Sequence, residues 1–497
     1  MNKPVSIAIV GGGTAGWMAA NLFAQKWADK NVSISLIESP DIGIIGVGEG
    51  STPTLKRFFD IIDVAERDWM PACNATYKVN IRFKDWSPQS GIESYSHPFT
   101  SQVDTFTSRS FHVNTRTRRL GLDTHVVPED FFINGVLAQQ GKGPVTPENF
   151  PFKMEYGYHF DSGLLGQFLA KNASDKGVRH IQANVTDVTR HPNGDIASVI
   201  TKESGKISAD FFVDCTGFKA LLIGKTLGVA FKPYKDNLFN DSAVVMPTSI
   251  DDVIPVETLS TALSAGWAWK IPLTNRYGNG YVYSSDFISS DQAETEFRTH
   301  LNTLNDDTPC HHLKMNVGCL EKQWSHNCIS IGLSQGFIEP LEATALHLVQ
   351  LSLEMFIEQF ESGDFTNKNQ QIYNDFTGER FERVRDYIVA HYKMNTRTDS
   401  EYWRVNRENT NLSQSLIQIL NAWFNREDLT EEIVRQNLQS HFDTSSWHCL
   451  LAGYGAFPPL ASNQPDQGDL YKNNDIAQFL KGCALNFQSH ASHLQLK

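Results

Sequence analysis

A glycine-rich turn near the start of the chain constrains its fold more than any other feature. Residues 5–10 (VSIAIV) predict a buried strand, residues 11–16 (GGGTAG) a tight turn, and residues 17–27 a helix. A second strand is predicted over residues 32–37, and the acidic residue Glu38 follows it directly. This order is the pattern of a dinucleotide-binding βαβ unit. A purely structural turn is the alternative, and the two framing strands with the terminal acid argue against it.

The turn also indicates how a dinucleotide would be held. Glycines let backbone N–H groups approach a pyrophosphate closely, and a helix N-terminus favours its negative charge. Glu38 would accept hydrogen bonds from ribose hydroxyl groups. The residues predicted to contact the cofactor in this unit are Gly11, Gly13, Thr14, Ala15, Gly16 and Glu38.

Three later segments are expected to approach the same cofactor. The stretch 46–53 (GVGEGSTP) is rich enough in glycine to pass close to a ligand, with a surface loop as the alternative. The βαβ pattern returns in weaker form over 178–214, and residues 329–333 (ISIGL) predict another core strand. The cofactor contacts predicted here are Gly48, Glu49, Ser51, Val185 and Leu333.

The bulk properties limit the class of protein. A chain of 497 residues with 40% hydrophobic residues is long enough for two joined lobes. The formal charge of -13 argues against nucleic acid or an anionic membrane as a partner. Seven cysteines without a CxxC pair are expected to be reduced thiols of a soluble, cytoplasmic protein. No signal peptide, membrane span or metal site is predicted.

A possible anion site is predicted where a core strand leads into a buried helix. Pro340 blocks a helix upstream, so the helix is expected to begin between Glu342 and Thr344. The first-turn amides of Ala343, Thr344 and Ala345 would then be free to bind a small anion. An ordinary capped helix start is the alternative.

Lys78 is the candidate reactive cation. Its neighbours in YKVNIRF (77–83) alternate in the manner of a strand. A lysine held in an apolar pocket can act as a nucleophile or as a hydrogen-bond donor, whereas a solvated surface charge is the usual role of a single lysine.

Aromatic residues supply the remaining candidates. Trp267 and Trp269 share one side of a predicted strand and form either a wall between substrate and cofactor or ordinary core packing. His97, Pro98, Phe99 and Trp447 are candidates for a substrate cradle, with core packing again the alternative.

These motifs together resemble those of the flavin-dependent halogenases of the tryptophan-halogenase family, over nearly the whole chain. WAWKIP (267–272) matches the family signature WxWxIP, and Lys78 matches the family's lysine. The other matching segments are GGGTAGW at 11–17, GVGEGSTP at 46–53, HPF at 97–99, YHFD at 158–161, DCTGF at 214–218, GFIEPLEAT at 336–344 and HYKMNTRTDSEYW at 391–403.

The resemblance implies a fold and a reaction. The fold would be α/β: a Rossmann-like FAD-binding module of the single-component flavin monooxygenase type, joined to a mostly helical substrate-binding lobe. The module would span 1–345, with inserted substrate-site loops at about 85–150, and the helical lobe 346–497. Reduced FAD, oxygen and a halide (chloride or bromide) held by the amides of Thr344 and Ala345 would give hypohalous acid.

The resemblance also implies roles for the two candidate catalytic residues. The hypohalous acid would travel through a tunnel to Lys78, to be hydrogen-bonded there or converted to a haloamine. Glu342 would polarise this oxidant or take the proton from the halogenated arenium ion. Trp267 and Trp269 would block direct hydroxylation by the flavin.

Two departures from the family pattern bear on specificity. Ala343 and Ala345 stand where serine and glycine are typical, which leaves the preference for chloride or bromide open. No Tyr-Tyr pair, the motif that holds the amino-acid part of tryptophan, occurs in 445–454 (SSWHCLLAGY). Indole or another electron-rich aromatic without a zwitterion is therefore expected as the substrate.

Other functions stay open from the sequence. They are a tryptophan halogenase proper, an FAD-dependent aromatic hydroxylase, and a flavin-binding module that has lost catalysis. No second GxGxxG stands in a strand–turn–helix context, which suggests that a separate NAD(P)H-dependent flavin reductase supplies FADH2. A homodimer is a family-level expectation.

Overall fold

The computed structural model describes residues 4–43, 48–438, 441–465 and 467–494. Gly46 and Val47 of the predicted glycine-rich stretch lie outside these residues. Among the described helices, none is both long enough and apolar enough to cross a membrane. The chain forms two compact units, each assembled from three segments.

The first unit consists of residues 1–75, 160–235 and 315–382 and is built on a six-stranded sheet. The first two strands along the chain pair in parallel, as the βαβ pattern predicts, and Val5–Val10 also pairs in parallel with Phe211–Asp214. In sheet order the strands are Trp324–Ser325, Cys328–Ser330, Phe211–Asp214, Val5–Val10, Val32–Glu38 and Arg179–Gln182.

Two helices of the first unit bury an aromatic core. The Thr14–Lys26 helix and the Ala345–Ser362 helix contact each other, and Phe23 lies 5.7 Å from Phe356, measured between ring centroids. Phe356 also packs against Phe211 of the sheet. The predicted buried helix is thus confirmed, because its apolar residues cover both the sheet and the first helix.

Smaller elements complete the first unit. Two three-stranded sheets consist of Val185–Arg190, Ile196–Thr201 and Gly205–Ile207, and of Phe231–Pro233, Gly318–Leu320 and Gly336–Phe337. The unit also contains the α-helices Thr54–Ile61, Glu66–Trp69 and Ser162–Asp175 and the short strand Gly48–Gly50.

The second unit consists of residues 76–159, 236–314 and 383–497 and contains a seven-stranded sheet. All neighbouring strands are antiparallel except Glu257–Leu263 and Asn80–Ser87, which pair in parallel. In sheet order the strands are His311–Lys314, Ser242–Thr248, Tyr277–Tyr283, Gly266–Pro272, Glu257–Leu263, Asn80–Ser87 and Ile92–Pro98. A separate strand, Thr76–Lys78, pairs with residues 157–159.

Helices make up the regular structure described after residue 344. The long Gln370–Met394 helix follows Ala345–Ser362, and the boundary between the units falls within it. The later helices are Glu401–Glu408, Gln414–Phe424, Leu429–Arg435, Thr444–Gly453, Leu470–Asn473, Ile476–Ala484 and His490–His493. The predicted division into an FAD-binding module at 1–345 and a mostly helical lobe at 346–497 has other boundaries than these compact units, and it stays a prediction.

Two sequence-based expectations about local structure differ from the structure. The segment 85–150, expected to consist of inserted loops, contains the strand Ile92–Pro98 and the helices Ser108–Arg118 and Ile133–Gln139. These elements carry so many polar residues that their apolar periodicity is weak. The strand predicted at 329–333 is Cys328–Ser330, and Leu333 lies in the 3₁₀ turn Gly332–Ser334, where the positive φ of Gly332 ends the extended backbone.

Candidate active site

The predicted dinucleotide turn is compact and leaves its helix N-terminus open. The Gly11 amide donates to the carbonyl of Ile37 (2.9 Å), and Gly11 has a φ of 117°. A Cβ at Gly11 would lie 2.1 Å from the Cys215 carbonyl oxygen, whereas a Cβ at Gly13 would meet no described atom within 4 Å. Gly13 is also the N-cap of the helix and provides no side-chain cap. The turn therefore fits a pyrophosphate bound by backbone N–H groups.

Glu38 stands at the turn as predicted and has a partner that the sequence did not indicate. Its Oε2 lies 2.8 Å from Nε2 of His180, on the neighbouring parallel strand. A Cβ at Gly12 would lie 2.4 Å from Oε1 of Glu38, so this glycine makes room for the carboxylate. His180 comes next to Glu38 because their strands are neighbours in the sheet. The contact orients the Glu38 carboxylate, which can still accept hydrogen bonds from ribose hydroxyl groups.

The other predicted cofactor residues differ in their surroundings. A Cβ at Gly332 would lie 2.7 Å from Cβ of Ala15, so Leu333 adjoins the glycine turn, and its side chain is exposed. Val185, in contrast, packs its side chain against a hydrophobic cluster and could reach a ligand only through its backbone. The cofactor contacts of both residues stay predictions.

Gly48, Glu49 and Ser51 lie in or directly after the short strand Gly48–Gly50, and Gly48 and Ser51 are buried. Burial raises the pKa of Glu49 to about 7, although a hydrogen bond with Ser162 opposes the shift. The negative charge of Asp161 adds to it. Glu49 can therefore exchange a proton near neutral pH, a property that its sequence motif does not reveal.

The candidate halide segment forms a sharp corner before the Ala345–Ser362 helix. Pro340–Glu342 is a single 3₁₀ turn, and Ala343 adopts the left-handed region with a φ of 55°. The Ala343 amide donates to the carbonyl of Pro340 (3.0 Å), so the prediction that it is free was wrong. The 3₁₀ turn uses this amide, and the helix begins later than expected, at Ala345.

The amides of Thr344 and Ala345 are free to bind an anion, as predicted. Neither donates a hydrogen bond to any acceptor in the part of the chain that the structure describes. Oγ1 of Thr344 is also buried and has no hydrogen-bond partner among the described residues. Two amides and one hydroxyl are thus donors at a helix start, an arrangement suited to a small anion. The carboxylate residue Glu342 is buried beside them in the chain.

Lys78 is buried at the end of the Thr76–Lys78 strand, which excludes a solvated surface charge. Its Nζ lies 5.4 Å from the centre of the Phe99 ring. Phe99 is held by its amide, which donates to the carbonyl of Val79 (3.0 Å). The structure therefore brings Lys78 together with one of the four predicted substrate residues.

His159 is a second buried residue of this region that the sequence analysis missed. Its Nδ1 and Nε2 lie 3.1 Å and 2.8 Å from the hydroxyls of Thr76 and Thr258. Burial, followed by the charge of Lys78, lowers the pKa of His159 well below its usual value. His159 is thus neutral at physiological pH and does not compete with Lys78 for a proton. Its motif YHFD resembled the family but carried no chemical signal of its own.

Trp267 and Trp269 share one face of the Gly266–Pro272 strand, as predicted, with ring centroids 6.0 Å apart. Both are buried. The indole of Trp269 lies over Gly280 of the adjacent strand, where a Cβ would be 2.1 Å from Cζ2 of the ring. The absence of a side chain at Gly280 therefore sets the position of Trp269.

The remaining predicted substrate residues lie on the Ile92–Pro98 strand (His97 and Pro98) and in the Thr444–Gly453 helix (Trp447). His97 Nε2 lies 3.1 Å from the Ser446 hydroxyl, and Pro98 ends the strand opposite Asn80. Trp447 is buried and packs edge-on against Tyr387, with ring centroids 4.9 Å apart. Core packing accounts for this contact of Trp447, and its role in substrate binding stays a prediction.

Comparison with known proteins identifies the family. The model of the tryptophan halogenase family matches residues 6–467. The chain belongs to the tryptophan halogenase family. It is therefore a flavin-dependent halogenase, an oxidoreductase that uses FADH2 to halogenate an aromatic compound.

Individual relatives extend over most of the chain. The tryptophan 6-halogenase SttH of Streptomyces toxytricini is 38% identical over 424 residues, covering 81% of this chain and 80% of SttH. The 7-chloro-L-tryptophan 6-halogenase KtzR of Kutzneria sp. (strain 744) is 36% identical over 485 residues and 91% of either chain.

Solved structures agree with the sequence matches. The crystal structure of SttH superposes with a TM-score of 0.86 at 33% identity, over 99% of this chain and 100% of SttH. BrvH, a flavin-dependent halogenase from Brevundimonas sp. BAL3, gives a TM-score of 0.82 at 29% identity over 99% of each chain. These matches confirm the predicted α/β fold with a Rossmann-like FAD-binding module.

Proposed function

We propose that this halogenase acts on indole or a similar electron-rich aromatic without a zwitterion, with Lys78 and Glu342 as its catalytic residues. The observation that carries the catalytic part is the burial of Lys78 beside the Phe99 ring. Burying a lysine is costly and is uncommon without a role for its amine. Chloride or bromide would be the halogen source, and a separate flavin reductase would supply FADH2.

The halide would be held at the start of the Ala345–Ser362 helix. The amides of Thr344 and Ala345 and the Thr344 hydroxyl are the donors, and the positive end of the helix dipole adds to the attraction. When bound at its own site, reduced FAD together with oxygen would supply the oxidising equivalents that convert the halide to hypohalous acid. The predicted FAD contacts, Gly11 to Gly16 and Glu38 above all, would position its pyrophosphate and ribose.

Lys78 would receive the hypohalous acid. Its amine donates a hydrogen bond to the oxygen and so polarises the oxygen–halogen bond, or it reacts to give a haloamine and water. In the first route the aromatic carbon bonds to the halogen, the oxygen–halogen bond breaks, and the oxygen leaves as water after taking up a proton. Both routes need a lysine shielded from bulk water, because water would otherwise compete for the oxidant.

Glu342 would complete the substitution as the base. Halogen addition leaves an arenium ion with one excess proton, and transfer of this proton to the Glu342 carboxylate restores the aromatic ring. Trp267 and Trp269 would act as the wall that prevents hydroxylation of the substrate. Their side-by-side position on one strand face supports this role.

The substrate proposal rests on the hydrogen bonds around the Thr444–Gly453 helix. The hydroxyls of Ser445 and Ser446 lie 3.1 Å from His112 and His97, and His448 Nδ1 lies 2.6 Å from the Thr115 hydroxyl. A zwitterion needs donors for its carboxylate and acceptors for its ammonium group. Because these side chains already bind one another, a substrate without either charge is favoured.

Free tryptophan is the second candidate substrate. SttH and KtzR, both more than a third identical to this chain, act on tryptophan or chlorotryptophan according to their names. A set of four indoles separates the candidates: indole, tryptamine, indole-3-propionate and tryptophan. These compounds add the ammonium and carboxylate groups one at a time.

The experiment is a product assay by mass spectrometry with FAD, a flavin reductase, NADH and oxygen. Bromide and chloride are supplied separately. We expect a halogen isotope pattern on indole and a lower yield with each added charge. Efficient turnover of tryptophan with indole inert would overturn the substrate proposal while leaving the halogenase family intact.

A further inference from the structure

A carboxylate, a thiol and an imidazole converge at one edge of the seven-stranded sheet, away in sequence from every residue assigned above. Glu294 lies on the Ser290–His300 helix, Cys310 directly precedes the edge strand His311–Lys314, and His312 lies within it. His312 Nε2 is 2.9 Å from Glu294 Oε2 and 3.8 Å from Cys310 Sγ. The three potential ligand atoms all lie within 4.8 Å of one another.

We propose that Glu294, Cys310 and His312 form a binding site for a borderline-soft divalent cation of the Zn²⁺ type. Thiolate, imidazole and carboxylate are the three side-chain ligands that Zn²⁺ takes in proteins. Tetrahedral coordination at usual bond lengths places neighbouring ligand atoms about 3.3 to 3.6 Å apart, close to the two distances above. His312 is exposed, so water has access as a fourth ligand.

Arg298 holds this arrangement in place. Its Nε donates to Glu294 Oε1 (2.7 Å), which leaves Oε2 facing His312. Its other two nitrogens donate to the carbonyls of Asp306 and Thr308, at 3.2 Å and 3.0 Å. Arg298 therefore fixes both the carboxylate and the loop that carries Cys310, and the cation would meet ligands that are already oriented.

The protonation states of Glu294 and Cys310 determine whether cation binding releases a proton. The hydrogen bond from Arg298, with those from Cys310 and His312, lowers the pKa of Glu294 to about 2, so this ligand is ionised at neutral pH. Burial and the nearby Glu294 raise the pKa of the Cys310 thiol. Cation binding would therefore displace the thiol proton into solvent as the sulfur–metal bond forms.

A bound cation would connect the Ser290–His300 helix to the edge strand and close the loop 301–310. This is a structural role, because none of the three ligands is a predicted catalytic or cofactor residue. It departs from the expectation, made from the sequence, that the protein has no metal site. The spacing in CHH (310–312) gave no signal, because the third ligand comes from a separate helix.

The test uses the full chain and Co²⁺ as a spectroscopic probe, followed by competition with Zn²⁺. We expect one Co²⁺ per chain with a near-ultraviolet sulfur-to-cobalt charge-transfer band, which Zn²⁺ abolishes and Mg²⁺ does not. Zn²⁺ should also raise the Tm. C310S should remove the band. H312Q should weaken Co²⁺ binding more than about 100-fold, because loss of a residue that only supports a ligand costs about 10- to 100-fold in affinity.

His311 provides the matched control. It is exposed and lies on the same strand, but alternation along the strand points it to the opposite face. H311Q should therefore bind Co²⁺ like the wild type and give the same rise in Tm. Co²⁺ binding without a charge-transfer band, a band that survives C310S, or an equal loss in H311Q and H312Q would overturn the proposal.

Discussion

Replacement of Gly280 by alanine tests how the Trp267–Trp269 wall is positioned. The added Cβ would lie 2.1, 2.2 and 2.6 Å from Cζ2, Cη2 and Cε2 of Trp269, all closer than side-chain carbons pack. The indole is buried next to Trp267, so it cannot move aside freely. Overpacking of this kind costs about 1 to 3 kcal/mol, and we expect G280A to lower the free energy of unfolding by that amount.

The assay combines urea unfolding with hydrogen–deuterium exchange of residues 266–283, which reports on the affected strands themselves. A double-mutant cycle with W269F isolates the contact, because the smaller phenyl ring makes room for the methyl group. We expect the G280A/W269F variant to be less destabilised than the sum of the single variants, by about 1 kcal/mol or more. Additivity within about 0.5 kcal/mol would refute the reasoning.

Gly378 serves as the control for the effect of removing a glycine. It lies in the Gln370–Met394 helix, and a Cβ there would meet no described atom within 4 Å. G378A should raise stability by about 0.5 to 1 kcal/mol, because glycine is unfavourable inside a helix. The opposite signs of the two glycine replacements would distinguish a clash from a general effect on the unfolded chain.

Three further predictions concern buried polar groups. The folded pKa of Glu49 is raised to about 7, so its contribution to stability is complete below about pH 4.5 and is lost as the pH rises to about 7. Urea titrations should show the free energy of unfolding falling by about 1 to 3 kcal/mol over this pH range, and E49Q should remove most of that fall. T344V should raise the halide KM about 10-fold with kcat at saturating halide unchanged, whereas higher stability with an unchanged KM would show that the hydroxyl does not bind halide. D214A should cost about 2 to 4 kcal/mol in the same urea assay, because Asp214 Oδ2 accepts from the amides of Leu222 and Ile223 (2.7 and 2.9 Å); a loss below about 1 kcal/mol would contradict this.

Local patterns predicted the first unit well. The strand, glycine turn and helix from Val5 to Lys26 are encoded within 22 consecutive positions, as two apolar stretches separated by the glycine turn. The corner before the Ala345–Ser362 helix was placed within a few residues. The left-handed Ala343 could not be foreseen, since alanine has no preference for that region and the corner is imposed by its surroundings.

The second unit was largely hidden from the sequence. Its central parallel pairing joins Glu257–Leu263 to Asn80–Ser87, two strands far apart along the chain. Such pairing leaves no local signature, and the flanking segments are polar. Two side-chain contacts were missed for the same reason: the contact of His180 with the predicted residue Glu38, and the contact of Thr258 with His159, which was itself not predicted.

The central claim is that Lys78 activates hypohalous acid for halogenation of the substrate, and its most direct test measures two rates on one sample. Halogenated indole is quantified by mass spectrometry while FADH2 oxidation is followed optically, for wild type, K78M and K84M. Lys84 is a surface lysine of the adjoining Asn80–Ser87 strand and serves as the matched control. The account predicts that K78M loses at least about 100-fold in product while FADH2 oxidation continues, and that K84M resembles the wild type. Halogenated indole formed by K78M at the wild-type rate would contradict it.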